Sequence, residues 1–333
     1  MNIPRSLKAL LATALLGAGS AGIADAKDLV LPSEVAATHW KTDYMNEFAR
    51  KVAERTGGEI SVKVFPAGQL YNDQDALAAL GTGAVHMVWP VSVRLETIAP
   101  STGLLNLPFA ITDEMMANAC FSSGITKLVS GEVEPRNLRV LGLLRTADLL
   151  FIFKDREVTN MDGLKGAKVR VTGGRVFLDM MKSLGISGVS MAASEMSTAM
   201  SQGAIDGVFT SPAGWAEMIG TAGNQAWYVP GFSLSTYAVV VDNGWFEALP
   251  EGERAAITAT LDEIIAREWT EAKAADEQIL KDMEKAGANI NVADEAEMAR
   301  WKELSANESE TFTAAHPEVM ASFRKLEASC GVN

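Results

Sequence analysis

From Glu253 to Ala286 the chain runs 34 residues without Gly or Pro, and the stretch is rich in Ala, Glu, Leu and Ile. A helix of that length spans about 50 Å at 1.5 Å per residue. That exceeds the diameter of one ordinary domain, so the segment either bridges two lobes or breaks into two helices, with Trp269 the natural break point. Upstream, strand and helix alternate. Asp28 to Leu31 reads as a strand, and Trp40, Tyr44, Phe48 and Val52 recur every fourth residue in a helix stopped by Gly57-Gly58. Ile60, Val62 and Val64 alternate in a strand ended by Pro66, and a helix from Asp73 puts Leu77 and Leu80 on its buried side. Further strands are expected at 84–89, 140–144, 149–153, 167–171, 207–210 and 236–241, with a helix over 194–202. This alternation predicts an α/β fold with a mostly parallel sheet. No repeat, low-complexity tract or proline-rich linker separates the parts. Domains that exchange strands are therefore expected, rather than domains laid end to end.

The N-terminus reads as a processing signal. Arg5 and Lys8 precede an apolar run from Ala9 to about Ile23, and Ala24-Asp25-Ala26 has the small-x-small form of a cleavage site. Residues 1–26 are thus expected to direct export to the periplasm, and no later segment is long and apolar enough to span a bilayer. A formal net charge of −13 argues against nucleic acid and anionic membrane surfaces, both of which need basic patches. It does not exclude anionic ligands, because one buried arginine acts locally where the dielectric is low. Cys120 and Cys330 are too few for a disulfide scaffold or a tetrahedral zinc cluster. An oxidising compartment permits them to pair, but their distance in sequence leaves the pairing open.

Catalytic signatures are missing. The chain has no Gly-x-Ser-x-Gly elbow, Walker loop or His-Glu-x-x-His motif, and His39, His86 and His316 are widely separated. Val171-Thr-Gly-Gly-Arg-Val lacks the spacing of a dinucleotide fingerprint. No catalytic residue, metal or cofactor is expected, and a binding protein ranks above an enzyme. One arginine stands out. Arg170 lies near the C-terminal end of the strand 167–171, and ligands of open α/β sheets sit beyond the carboxyl ends of strands. An arginine there can clamp a carboxylate through two parallel hydrogen bonds, although the residue alone fits a surface ion pair equally well. Trp89, which ends a strand before Pro90, belongs near the same cleft or in the core. Arg175 follows Thr172-Gly173-Gly174, whose glycines allow close backbone approach to a ligand; the alternative is a solvated loop arginine. Met180, Met181, Met196 and Met200 read as packing.

In order and spacing, several segments resemble the solute-binding subunits of tripartite ATP-independent periplasmic (TRAP) transporters. They are Phe48-Ala-Arg-Lys-Val-Ala-Glu-Arg-Thr-Gly-Gly-Glu-Ile-Ser-Val-Lys-Val-Phe-Pro-Ala-Gly-Gln-Leu70, Leu105-Asn-Leu-Pro-Phe109, Leu164-Lys-Gly-Ala-Lys-Val-Arg-Val171, Ser194-Glu195 and Gly203-Ala-Ile-Asp-Gly207. The resemblance covers nearly the whole mature chain. It implies a two-lobed periplasmic binding protein with a hinge and a long helix across both lobes, lobe one being 27–147 plus 236–275 and lobe two 148–235 plus 276–333. It implies that Arg170 receives a ligand carboxylate, and that a monomer hands this ligand to a small and a large membrane subunit.

By the same resemblance, Ser33 and Glu34 face the ligand. Asp73 either reaches a polar ligand group or caps its helix. Thr210 or Ser211, after Phe209, stands where relatives carry a carboxylate-binding asparagine. Trp215 and Tyr237 are wall or core. Leu150 takes the place of a second arginine found in many relatives, which disfavours a doubly charged ligand. Arg145 precedes it by five residues, toward the other end of the strand. The expected ligand is a small organic acid, a monocarboxylate with an apolar or aromatic body; the alternatives are a C4-dicarboxylate and a zwitterion whose cation pairs with Glu34.

Overall fold

The computed structural model describes residues 26–332, so the expected leader lies outside the described residues apart from Ala26. β1 (Lys27–Pro32) leads through α1 (Trp40–Arg55) to β2 (Ile60–Phe65), with which it pairs in parallel. Phe48 and Val52 of the expected four-residue series are fully buried beneath this pair, joined by Met45, whereas Trp40 and Tyr44 are only half-buried at its edge. α2 (Asp73–Ala79) and β3 (Met87–Val88) follow. β3 is shorter than the expected 84–89 because His86 replaces ladder with side chain: its N–H reaches Val30 O, and its Nδ1 accepts the Val30 N–H.

After α3 (Asp113–Ala117) and α4 (Ala119–Val133) comes β4 (Leu138–Asp148). The second half contains β5 (Leu150–Phe153), β6 (Lys168–Val171), α5 (Arg175–Ser183), β7 (Ser187–Ser190), α6 (Met196–Ser201), β8 (Gly207–Thr210), the single turn α7 (Pro212–Gly214) and β9 (Gln225–Tyr228). β10 (Leu234–Asp242) then returns to the first half, followed by α8 (Asn243–Ala248) and α9 (Glu251–Lys285). β11 (Asn289–Val292), α10 (Glu295–Ala315) and α11 (Pro317–Cys330) complete the chain.

The first half carries a three-stranded sheet in the order β3-β10-β4 beside the β1-β2 pair; the second carries six strands in the order β11-β9-β5-β8-β6-β7. The expectation of a mostly parallel sheet needs correction. β10 runs antiparallel to β3 and β4, and β5 runs antiparallel to β8 and β9. The reason is connectivity, because one strand leaves the first half through β4 into β5 and another returns from β9 into β10. Asp148 fixes this crossing, accepting bonds from Tyr228 Oη at 2.8 Å and from the Gly231 and Ser233 amides at 2.6 and 3.3 Å.

α9 is one unbroken helix of 35 residues. Ile257, Leu261 and Ile264 pack in the first half, whereas Ile279, Leu280 and Met283 pack in the second. Trp269 donates to Leu143 O at 2.9 Å and marks no break.

Cys120 and Cys330 form a disulfide with Cα atoms 5.5 Å apart. It ties the end of α11 to the start of α4, against which α11 packs through Phe323 on Phe121. Closing so long a loop restricts the unfolded chain more than the folded one. Replacing both cysteines by serine should lower unfolding stability by about 2–4 kcal/mol. Denaturant titration under oxidising conditions measures this, and reduction of the parent protein should reproduce it.

Candidate functional site

Arg170 reaches its position through strand alternation. Its neighbours Val169 and Val171 enter the core on one face of β6, so Arg170 projects from the other. The side chain is 1% exposed. Its Nε donates to Met191 O at 3.1 Å, whereas Nη2 is buried and meets no acceptor among the described residues. Burial is the main influence on the guanidinium, lowering it to about 10; Arg94 pushes the same way, while Glu34, Glu195 and Tyr237 oppose it. A buried cation with a free donor is a costly arrangement until an anion completes it.

The Arg170 side chain lines a cavity between the two halves, with a volume of about 40 Å³. The space suits roughly three or four water molecules. Glu34, Asp73, Ser235 and Tyr237 line it from the first half; Arg170, Thr172, Thr210 and Ser211 line it from the second. Val91, Leu149, Met196 and Met218 add apolar wall. Thr210 ends β8, and Ser211 caps α7 by accepting the Gly214 amide at 2.9 Å.

Opposite Arg170, two carboxylates hold each other's backbone. Asp73 Oδ1 accepts the Glu34 N–H at 3.2 Å, and Glu34 Oε2 accepts the Asp73 N–H at 3.3 Å. Asp73 does not cap α2, since Asn72 does so by accepting from Asp75. Behind them Lys41, 1% exposed, lies 3.6 Å from Asp73 Oδ2, donates to Trp89 O at 2.9 Å and sits 4.3 Å over the Tyr237 ring. Desolvation raises Asp73 to about 6, with Lys41 pulling it down and Glu34 pushing it up. His39 also lines the cavity, held neutral at about 3 by burial and by Lys41. Its Nδ1 accepts the Lys41 amide.

Six of the residues singled out from the sequence thus meet around one cavity: Glu34, Asp73, Arg170, Thr210, Ser211 and Tyr237, while Ser33 is buried and does not line it. The remaining candidates sit elsewhere. Trp89 is fully buried against Phe48, with its N–H on Met87 Sδ. Phe209 stacks in the core with Phe151 and Phe177. Trp215 is buried and donates to Gly223 O at 2.7 Å. Arg175 is largely solvent-exposed and pairs with Asp179 on its own helix. Leu150 is core beside Ile152 and Met196. Arg145 is committed to Asp113 and Asp276 at 2.7 and 2.6 Å, while its neighbour Thr146 lines the cavity.

Sequence reasoning passed over Lys41, Thr146, Thr172, Ser235 and Arg94. Arg94 is 5% exposed, donates to Gln74 at 3.1 Å and contributes to the field on Arg170. Its burial follows from the 3-10 turn Ser92–Thr97, for which the sequence carries no periodic signal.

Two α/β halves, two crossing strands, a bridging helix and a polar cavity between the halves define a two-lobed solute-binding protein. Residues 32–315 match the family described as bacterial extracellular solute-binding protein, family 7, and the chain belongs to that family. It is 31% identical over 140 residues to the C4-dicarboxylate-binding protein DctB of Bacillus subtilis, covering 42% of this chain and 40% of that protein. It is 24% identical over 260 residues to the C4-dicarboxylate-binding periplasmic protein DctP of Rhodobacter capsulatus, covering 78% of each. The fold matches the sugar acid binding protein DctPAm of Advenella mimigardefordensis in complex with galactonate, with TM-score 0.85, 18% identity, and 92% and 99% of the two chains covered. The resemblance to TRAP solute-binding proteins therefore holds. Family and fold are those of receptors, and among the described residues no helix is long and apolar enough to cross a membrane.

The burial of Trp215 has a measurable consequence. Trp215→Ala should cost about 3–5 kcal/mol of unfolding stability, read by denaturant titration, whereas a wall residue in an open cleft would cost far less.

Proposed function

We propose that this chain is the periplasmic receptor of a TRAP transporter and captures a monocarboxylate, with the acid group on Arg170. The carrying observation is Arg170 itself, a buried guanidinium that lines a cavity formed by both halves and whose Nη2 finds no acceptor among the described residues. Charge sets the ligand's valence. Arg170, Arg94 and Lys41 oppose Glu34 and Asp73, so the buried set accommodates one further negative charge. Val91, Leu149, Met196 and Met218 would cover the ligand's apolar body, while Glu34 would accept from a hydroxyl or amine. The lobes are read as 27–147 with 236–275, and 148–235 with the residues from 276 onward, α11 lying back on α4. Closure about the Asp148 crossing would present the loaded form to the small and large membrane subunits.

Arg94 favours a second reading, a C4-dicarboxylate whose distal acid turns toward it; two relatives carry names describing such binding. Calorimetry with short hydroxy, keto and branched acids beside succinate and malate separates the two. Tight succinate binding with no response to the monocarboxylates would favour the dicarboxylate. With the best acid of the screen, Arg170→Lys should weaken binding at least tenfold, because lysine cannot supply the planar fork. Unchanged affinity would remove Arg170 as anchor. Glu34→Gln should selectively weaken acids that bear a donor.

A further inference from the structure

The two halves meet at a second place, outside the cavity. The 3-10 turn Ser92–Thr97 belongs to the first half, because it follows β3 and the preceding Val91 bridges to Tyr237 of β10. α5 belongs to the second half and begins directly after β6 and the loop Thr172–Gly174. Gly174 occupies the N-cap of α5 and has no side chain with which to cap it. The acceptor comes from across the cleft. Glu96 Oε2 takes the Arg175 N–H at 2.5 Å and the Val176 N–H at 3.2 Å. Both bonds use one oxygen, while Oε1 is buried and takes none among the described residues.

The surrounding contact is close enough to require glycine. At Gly174 a side-chain carbon would fall 2.1 Å from Val93 Cγ2, and at Gly173 it would fall 3.1 Å from Arg94 Nη1. Both residues also hold positive φ, 128° and 81° in chain order, a region that other residues enter at a cost. Two glycines and a carboxyl therefore form one interlocked contact between the halves.

We propose that Glu96 is the positioning residue of the closed state, clasping α5 across the cleft and so fixing Thr172 and the end of β6 against the first half. This rests on the cavity being the ligand site, since what the clasp positions are Thr172, which lines that cavity, and Arg170 two residues before it. Burial holds the Glu96 carboxyl at about 7, outweighing the two N–H bonds that pull it down. A clasp that needs one acceptor oxygen rather than a full charge agrees with that balance.

Amide exchange followed by NMR on the full-length mature protein, without added acid, tests the clasp; scattering gives the radius of gyration in parallel. Glu96→Ala should speed exchange at the Arg175 and Val176 amides about tenfold or more and enlarge the radius. Glu96→Gln keeps a carbonyl acceptor and should stay within a few-fold of the parent. Glu96→Asp is a milder second variant, one methylene too short, and should lose both bonds while folding normally. The proposal is overturned if these amides exchange equally fast in parent and alanine variant, or if the glutamine variant fails as fully as the alanine one. No acid enters this experiment, so its failure leaves carboxylate capture standing, and failure of carboxylate capture leaves the clasp.

Discussion

A buried guanidinium with a donor to spare is the constraint on which the rest of this molecule turns. Arg170 is 1% exposed, yet among the described residues only its Nε finds an acceptor. Desolvating a cation without a partner costs several kcal/mol, and burial accordingly depresses its basicity. The surroundings offset part of the cost and stop short of neutralising it. Glu34 contributes a favourable field, but its carboxylate is already tied to the Asp73 backbone, and Asp73 in turn leans on Lys41. The first half therefore presents a fixed, mutually braced set of charges, and the second presents a cation that lacks one anion.

The scaffold keeps these two surfaces in register. α9 buries apolar residues in both halves along a single helix, and Asp148 locks the crossing strands through three bonds. On either side of this crossing the sheets are continuous, and few residues join them. Arg145 reinforces the same zone from the opposite face of β4 by engaging Asp113 and Asp276. One residue further on, Thr146 lines the cavity, so strand alternation sends adjacent side chains to the ion pairs and to the cavity.

How much of this the sequence disclosed depends on how local the signal is. Strand-end placement of Arg170 and the four-residue spacing of α1 are local patterns, and both reappear in the structure. The antiparallel pairing of β10 with β4 is not local; it follows from a chain that leaves one half and returns. Aromatic residues misled for a related reason. Trp89, Phe209 and Trp215 sit at strand or helix ends near the cleft, but which side they face depends on twist, on the partners the two indole N–H groups find and on the rings that receive Phe209. Lys41 and Arg94 were invisible because solvent is the usual home of such residues. Only the fold reveals that Trp89 O and Asp73, or Gln74, receive them.

The most direct test of the central claim is a crystal structure of the protein with the acid it binds best. The account predicts a carboxylate oxygen on Arg170 Nη2 at about 2.8 Å, with the acid's body between Glu34 and the Met196–Met218 wall. An acid whose carboxylate sits on another residue, with Arg170 Nη2 still unpartnered, would contradict it.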